Sequence, residues 1–181
     1  YKIKFGTLQV LSEQNLVDCV STCSGCSGGL MTSSYNHVVK YQDGLWQLTS
    51  DYPYKPRQQK CQYDKARAPP PVCTGYINIK RASEEDLENK VTALGPICVA
   101  VDAGQYSFQL YKSGIYDDKA CSSIRLNHAI GCIGYGAEGG KDFWIVRNSW
   151  GKRWGESGYM RLIKGVNRCG IATMACYPTI A

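Results

Sequence analysis

The 181 residues suffice for one ordinary domain or two small lobes sharing an interface. With 44% apolar and 20% charged residues the composition is that of a packed globular protein and excludes a disordered one. No apolar run reaches the ~18–20 residues that cross a bilayer, and Tyr1 opens no leader-like segment. The net charge of +6 comes from scattered basic residues, unlike the concentrated stripe of a nucleic-acid binder.

In chain order, Leu11 precedes Ser12, a good N-cap, and Leu16 and Val17 follow at the spacing of a buried helix face that Cys19 closes. Cys23-Ser-Gly-Cys26-Ser-Gly-Gly is too glycine-rich for a helix. A helical pattern resumes over Leu30 to Lys40 with Leu30, Tyr35, Val38 and Val39. From Asp43 to Pro71 the text is polar and proline-punctuated and ends in Ala68-Pro69-Pro70-Pro71. A lobe crossing is expected there, giving a helical lobe over 1–68 and a β-rich lobe over 69–181. Ser83-Glu84-Glu85-Asp86 is a capping-box start, with Leu87, Val91 and Leu94 on one face before Gly95-Pro96 stops the helix. Strands are expected over Ile97 to Val101, His128 to Tyr135, Phe143 to Arg147 and Tyr159 to Ile163. The fold class is therefore α+β.

Ten cysteines in a chain of this length suggest disulfides and an oxidising compartment, or else metal sites. No Asn-x-Ser/Thr glycosylation site adds support for secretion. His128 enters an apolar run as either a satisfied core residue or a working base. Some twenty residues on, Asn148 offers an amide oxygen to an imidazole N–H, and Trp150 can cover that bond. A histidine held and shielded in this way is a base awaiting a nucleophile.

Ser12-Glu13-Gln14-Asn15-Leu16-Val17-Asp18-Cys19, Gly25-Cys26-Ser27-Gly28-Gly29-Leu30-Met31, Asp51-Tyr52-Pro53-Tyr54, Gly95-Pro96-Ile97, Leu126-Asn127-His128-Ala129 and Asn148-Ser149-Trp150-Gly151 resemble, in order, the landmarks of papain-like cysteine proteases of the cathepsin L type. Trp154-Gly155-Glu156-Ser157-Gly158-Tyr159 and Cys169-Gly170-Ile171-Ala172 extend the match to the C-terminal part of the chain. The resemblance implies a two-lobe fold, helical on one side and β-barrel-like on the other, that hydrolyses peptide or protein substrates bound between the lobes. It needs no cofactor or metal. His128 then corresponds to the catalytic imidazole, Asn148 to its orienting amide and Trp150 to the covering ring. Gly28 and Gly29 correspond to the backbone that hydrogen-bonds an extended substrate. Leu30, Met31, Ala100, Leu126, Ala129 and Met174 correspond to the pocket for the second residue before the scissile bond, P2. All six are apolar, which favours Leu, Phe or Val at P2 over Arg. Ala129 stands where the family often has Gly and Asn127 where Asp is frequent; the bulk of Met174 points to a smaller P2 side chain.

The resemblance places the family's nucleophile in a Cys-Gly-Ser-Cys-Trp-like segment roughly 130–150 residues before the histidine, ahead of Tyr1. Residues 1–181 are then expected to be inactive in isolation, with an N-terminal segment or another protein covering the open first lobe. By the same resemblance Cys19 pairs with Cys61 and Cys121 with Cys169, each closing a long loop worth ~2–5 kcal/mol. Cys26 is an orphan whose expected partner lies upstream. Cys23, Cys73, Cys98, Cys132 and Cys176 have no family counterpart; Cys98 and Cys132 fit as buried small hydrophobes in strands. The family implies a lysosomal or secreted location, whereas five unassigned thiols point towards a reducing one.

Three other readings compete. Cys19, Cys23 and Cys26, with Cys61 or His37, have the spacing of a zinc site but lack a second Cys-x-x-Cys pair. A redox Cys23/Cys26 dithiol does not head a helix after a strand. A catalytically inactive papain-like pseudopeptidase, serving as a structural or binding component of an assembly, is the main alternative to an endopeptidase.

Overall fold

The computed structural model describes residues 2–70 and 72–181. The chain divides into two compact units, Tyr1–Ile77 with Pro178–Ala181, and Asn78–Tyr177.

The first unit carries helices α1 (Lys2–Phe5), α2 (Glu13–Cys19) and α3 (Met31–Tyr41). Ser12 caps α2 as its sequence predicts, accepting from the Asn15 N–H at 3.0 Å while its hydroxyl donates to the Tyr52 carbonyl at 2.6 Å. The buried face is not the expected one. Gln14, Asn15 and Cys19 are buried, whereas Leu16 and Val17 are only half-buried. The reason is a polar network that turns the helix. Gln14 Nε2 donates to Asp18 Oδ1 and to the Arg57 carbonyl, and Gln14 Oε1 accepts from the Lys55 N–H. Asp18 also accepts from the Tyr52 hydroxyl and the Gln59 N–H. The Cys19–Cys61 disulfide, expected from the resemblance, fastens the same loop.

The second unit is built on strands and one long helix, α4 (Glu84–Leu94). Ser83 caps α4 by accepting from the Asp86 N–H, and Gly95 ends it at φ 91°, a left-handed geometry that glycine adopts without strain. Leu87 and Val91 are buried, but Leu94, expected on the same face, is 43% exposed because the helix stops beside it. Strands β2 (Ile97–Val101), β3 (Ile115–Tyr116), β4 (His128–Glu138), β5 (Lys141–Arg147) and β6 (Tyr159–Ile163), with the short helix α5 (Tyr106–Gln109) before β3, lie within this unit, whereas β1 (Cys73–Asn78) falls almost wholly in the first unit and β7 (Ala175–Ile180) runs from the second into the first. The seven strands form one sheet in the order β1-β7-β2-β4-β5-β6-β3. Strands β2, β4, β5 and β6 match the sequence reading. The glycine-interrupted β1, the two-residue β3 and the proline-containing β7, and α5, do not stand out in it. Val99, Val101, Trp144, Val146, Met160 and Leu162 line the core face of the strands, with Leu87, Phe108 and Ile171 wholly buried against them. Glu84 stitches this layer together: its carboxylate accepts from Trp144 Nε1 and from the Gly165 and Asn167 N–H groups. The Cys121–Cys169 disulfide forms as expected. No helix among the described residues is long and apolar enough to cross a membrane.

Candidate active site

The β4–β5 hairpin places His128 and Asn148. His128 opens β4 opposite Val101 of β2, and Asn148 follows the last residue of β5, where its N–H donates to the Gly158 carbonyl. The hairpin turns through Gly139 and Gly140, both at positive φ (57° and 75°). Two-residue turns of that hand favour glycine. Folding back along its own length, the hairpin returns Asn148 to the end where His128 began. Between Cys132 and Gly134 the pairing slips by one residue, a β-bulge at Ile133. Such a bulge re-aims the side chains beyond it, which here are those of the site.

His128 Nε2 lies 2.9 Å from Asn148 Oδ1. An amide oxygen only accepts, so the shared proton sits on Nε2, leaving Nδ1 as the nitrogen that takes and returns a proton. Asn148 Oδ1 also accepts from the Ser149 N–H at 2.7 Å, which fixes the amide against rotation. Asn148 is buried, and its Nδ2 finds no partner among the described residues. An unpaired buried donor costs stability, about 1–3 kcal/mol, so this asparagine is kept for its oxygen. Trp150 stacks on His128 with ring centroids 4.9 Å apart and planes at 27°. Its own position is braced by edge-on contacts with Phe108 at 5.9 Å and Trp154 at 5.5 Å. Trp154 in turn donates from Nε1 to the Phe108 carbonyl.

A cavity opens beside this pair, lined by Ala103, Gly104, Gln109, Asn127, His128 and Trp150. Its wall is held by Asp102, which is buried, and by Asn127. Burial works to raise the Asp102 pKa, but hydrogen bonds from the Ser122 and Gly104 N–H groups, Gln105 and Asn127 outweigh it and hold the carboxyl below its usual range. Asn127 Oδ1 accepts from the Ala103 N–H at 2.8 Å, tying the strand entry to the loop after β2. Phe108, Trp154 and Asp102 went unassigned by sequence reasoning. The only signals that could have found them are an aromatic in a short helix, a tryptophan four residues after Trp150, and an acid at a strand end.

The remaining expected site residues fall in two places. In the second unit Ala100 pairs with Ala129 across β2 and β4, and the Ala100 N–H donates to the Met174 carbonyl, so these three lie side by side. Leu126 packs over Gly170, where a Cβ would meet its Cδ2 at 2.5 Å. In the first unit Gly28, Gly29 and Leu30 are exposed at the start of α3, with Met31 half-buried. Gly29 is required by contact, because a Cβ there would lie 2.4 Å from Cys23 Sγ. Cys26 is an exposed thiol and Cys23 a half-buried one. Cys19 and Cys61 are committed to a disulfide, which removes them as zinc ligands. Burial pushes the Cys73 thiol up, and pushes Cys132 up to about 12. His37 is buried in α3 against Tyr41, its pKa lowered by that burial.

A strand histidine tied to an asparagine and roofed by tryptophan, on an α+β fold, is an oriented and shielded imidazole with one ring nitrogen left open. Residues 1–179 match the papain family cysteine protease family. The chain is 44% identical to "Digestive cysteine proteinase 1" of Homarus americanus over 98% of its own length and 56% of the relative's. It is 41% identical to "Cathepsin L" of Sarcophaga peregrina, over 98% and 52%. The structure of digestive procathepsin L 3 of the Tenebrio molitor larval midgut superposes with a TM-score of 0.91 at 38% identity, covering 98% of this chain and 58% of that one. The chain belongs to the papain family of cysteine proteases and is cathepsin L-like. It spans about half the length of the curated relatives it matches.

Proposed function

We propose that these residues form the base-bearing part of a cysteine endopeptidase. In this reading His128 Nδ1 takes the proton of a thiol nucleophile contributed from outside residues 1–181, and the resulting thiolate attacks a peptide carbonyl. The imidazolium returns the proton to the leaving amine, and water activated at the same nitrogen then hydrolyses the acyl-enzyme. Asn148 holds the ring through Nε2 throughout. The observation that carries the reading is the 2.9 Å His128–Asn148 hydrogen bond under Trp150. The six apolar positions Leu30, Met31, Ala100, Leu126, Ala129 and Met174 support a preference for an apolar P2 residue. Gly28 and Gly29 are proposed to hydrogen-bond the substrate backbone. The disulfides and the relatives' names support a lysosomal or secreted setting. Without an added nucleophile residues 1–181 are expected to show no turnover.

The test is turnover of peptide substrates by the protein carrying its nucleophile. His128→Ala is expected to lower kcat/KM by at least about a thousandfold while leaving thermal unfolding nearly unchanged. Asn148→Ala lowers it by a smaller factor. Wild-type rates in His128→Ala would overturn the assignment of His128; no turnover by the parent even with its nucleophile present would favour the pseudopeptidase reading instead.

A further inference from the structure

Strand β7 lies against β2 so that Cys98 and Cys176, 78 positions apart in the sequence, are direct partners, with Val99 opposite Ala175 as the next pair. Directly opposed residues of an antiparallel pair project to the same face. Val99 and Ala175 point into the core, so Cys98 and Cys176 share the other face. The hydrogen-bond pattern fixes their spacing. The Ala100 N–H donates to the Met174 carbonyl, whereas the Ala175 carbonyl turns away from β2 and accepts from Ile79. Because bonded and non-bonded pairs alternate, Cys98 and Cys176 form a bonded pair, with Cα atoms about 5.5 Å apart. That lies inside the roughly 4.4–6.8 Å that a disulfide bridges. Both residues are thiols in the structure.

The two sulfurs differ in access. Cys176 is 1% exposed, whereas Cys98 is half-exposed. On the side of Cys98 away from β7 stands Gly131 of β4, where a side chain would meet nothing nearer than Ile133 Cγ2 at 3.9 Å. The absent side chain leaves an approach to Cys98 that any other residue at 131 would narrow. One pair along the same face, Ala100, Ala129 and Met174 form the next row.

We propose that Cys98 and Cys176 form a site of reversible disulfide exchange, closed across β2 and β7 by a low-molecular-weight disulfide of the oxidised-glutathione class. The Cys98 thiolate attacks one sulfur of the small disulfide, forming a mixed disulfide and releasing one small thiolate. The Cys176 sulfur then attacks Cys98 Sγ; the Cys98–S bond to the small thiol breaks, and the proton of Cys176 passes to the departing thiolate. Two protein thiols are oxidised and one small disulfide is reduced to two thiols. Burial pushes the Cys176 thiol up to about 12, with Cys98 adding to the effect, so Cys176 serves as the resolving sulfur and Cys98 as the entry point.

The native protein is equilibrated with graded ratios of oxidised to reduced glutathione, unfolded in excess alkylating agent, and digested with trypsin. Cys98 lies in the fragment 91–112, Cys121 in 120–125, and both Cys169 and Cys176 in 169–181. The expected product is one species joining all three fragments, rising with oxidant and lost under mild reduction before the 120–125 to 169–181 link. In Cys176→Ser, Cys98 is recovered as the glutathione mixed disulfide; in Cys98→Ser, Cys176 is recovered alkylated. Recovery of wild-type 91–112 only as an alkylated or glutathione-bearing fragment, or joined to a cysteine other than Cys176, overturns the site. Glutathione on Cys176 in Cys98→Ser, at the rate at which wild-type Cys98 reacts, overturns the order of attack.

Discussion

The two units hold themselves together by different means. Residues 78–177 bury an unbroken apolar layer in which Trp144, Phe108, Leu87, Met160 and Leu162 are wholly enclosed. The fully enclosed side chains of the first unit include Gln14 and Gln47 as well as Val38, and Asp18 gathers three donors. Burial of hydrocarbon is non-directional and tolerates small shifts, whereas a buried amide or carboxylate is stabilising only while its partners stay in place. The second unit therefore resembles a rigid platform, and the His128–Asn148 pair sits at the end of its longest hairpin. The first unit is secured by specific bonds and one covalent tie. Its buried polar groups make it the part more sensitive to single polar substitutions and to reduction.

Three perturbations test that contrast, read by denaturant unfolding together with region-resolved hydrogen exchange. The largest effect is expected from Phe108→Ala, which opens a cavity under Trp150 and removes the ring contacts to Tyr116 and Trp154. It should cost about 3–5 kcal/mol and lower protection across residues 78–177. A loss below about 1 kcal/mol would show that the apolar layer does not carry this unit. Next in size is Cys61→Ser, which releases the tie across 42 residues and is expected to cost about 2–4 kcal/mol, with exchange rising first in α2 and residues 52–62. Equal loss of protection over 78–177 would erase the distinction. The smallest is His37→Gln. Burial lowers the folded pKa of His37 below its ordinary value near 6.5, so the unfolded chain takes up the proton more readily. That contribution to stability is present above about pH 6.5 and falls away as the pH drops through the folded value. The variant should unfold with a shallower loss on acidification than the parent, and an unchanged slope would assign the acid sensitivity elsewhere.

Much of the site was legible because its signals are local. Ser12 and Ser83 cap the helices their positions predict, and His128, Asn148 and Trp150 meet as their motifs imply. What escaped depends on pairing between strands or between segments far apart in the chain. The slip at Ile133 arises only once β4 meets β5, and no residue type there signals it. Leu16 and Val17 have the right spacing for burial, yet the amide of Gln14 and the carboxylate of Asp18 turn α2 by bonding to residues some forty positions away. Cys98 fits a buried small hydrophobe when read along its own strand, and its partner becomes visible only when β7 is laid beside β2.

The length of the β4–β5 hairpin has a practical consequence. From His128 to Glu138 the strand takes ten steps of about 3.3 Å, so the Gly139-Gly140 turn stands some 30 Å along the ribbon from the imidazole. A label, affinity tag or short reporter peptide inserted between those two glycines enters a turn with open space around both residues. The hairpin is thus a built-in handle: its tip can be held, tethered or lit at a distance from the imidazole at its base.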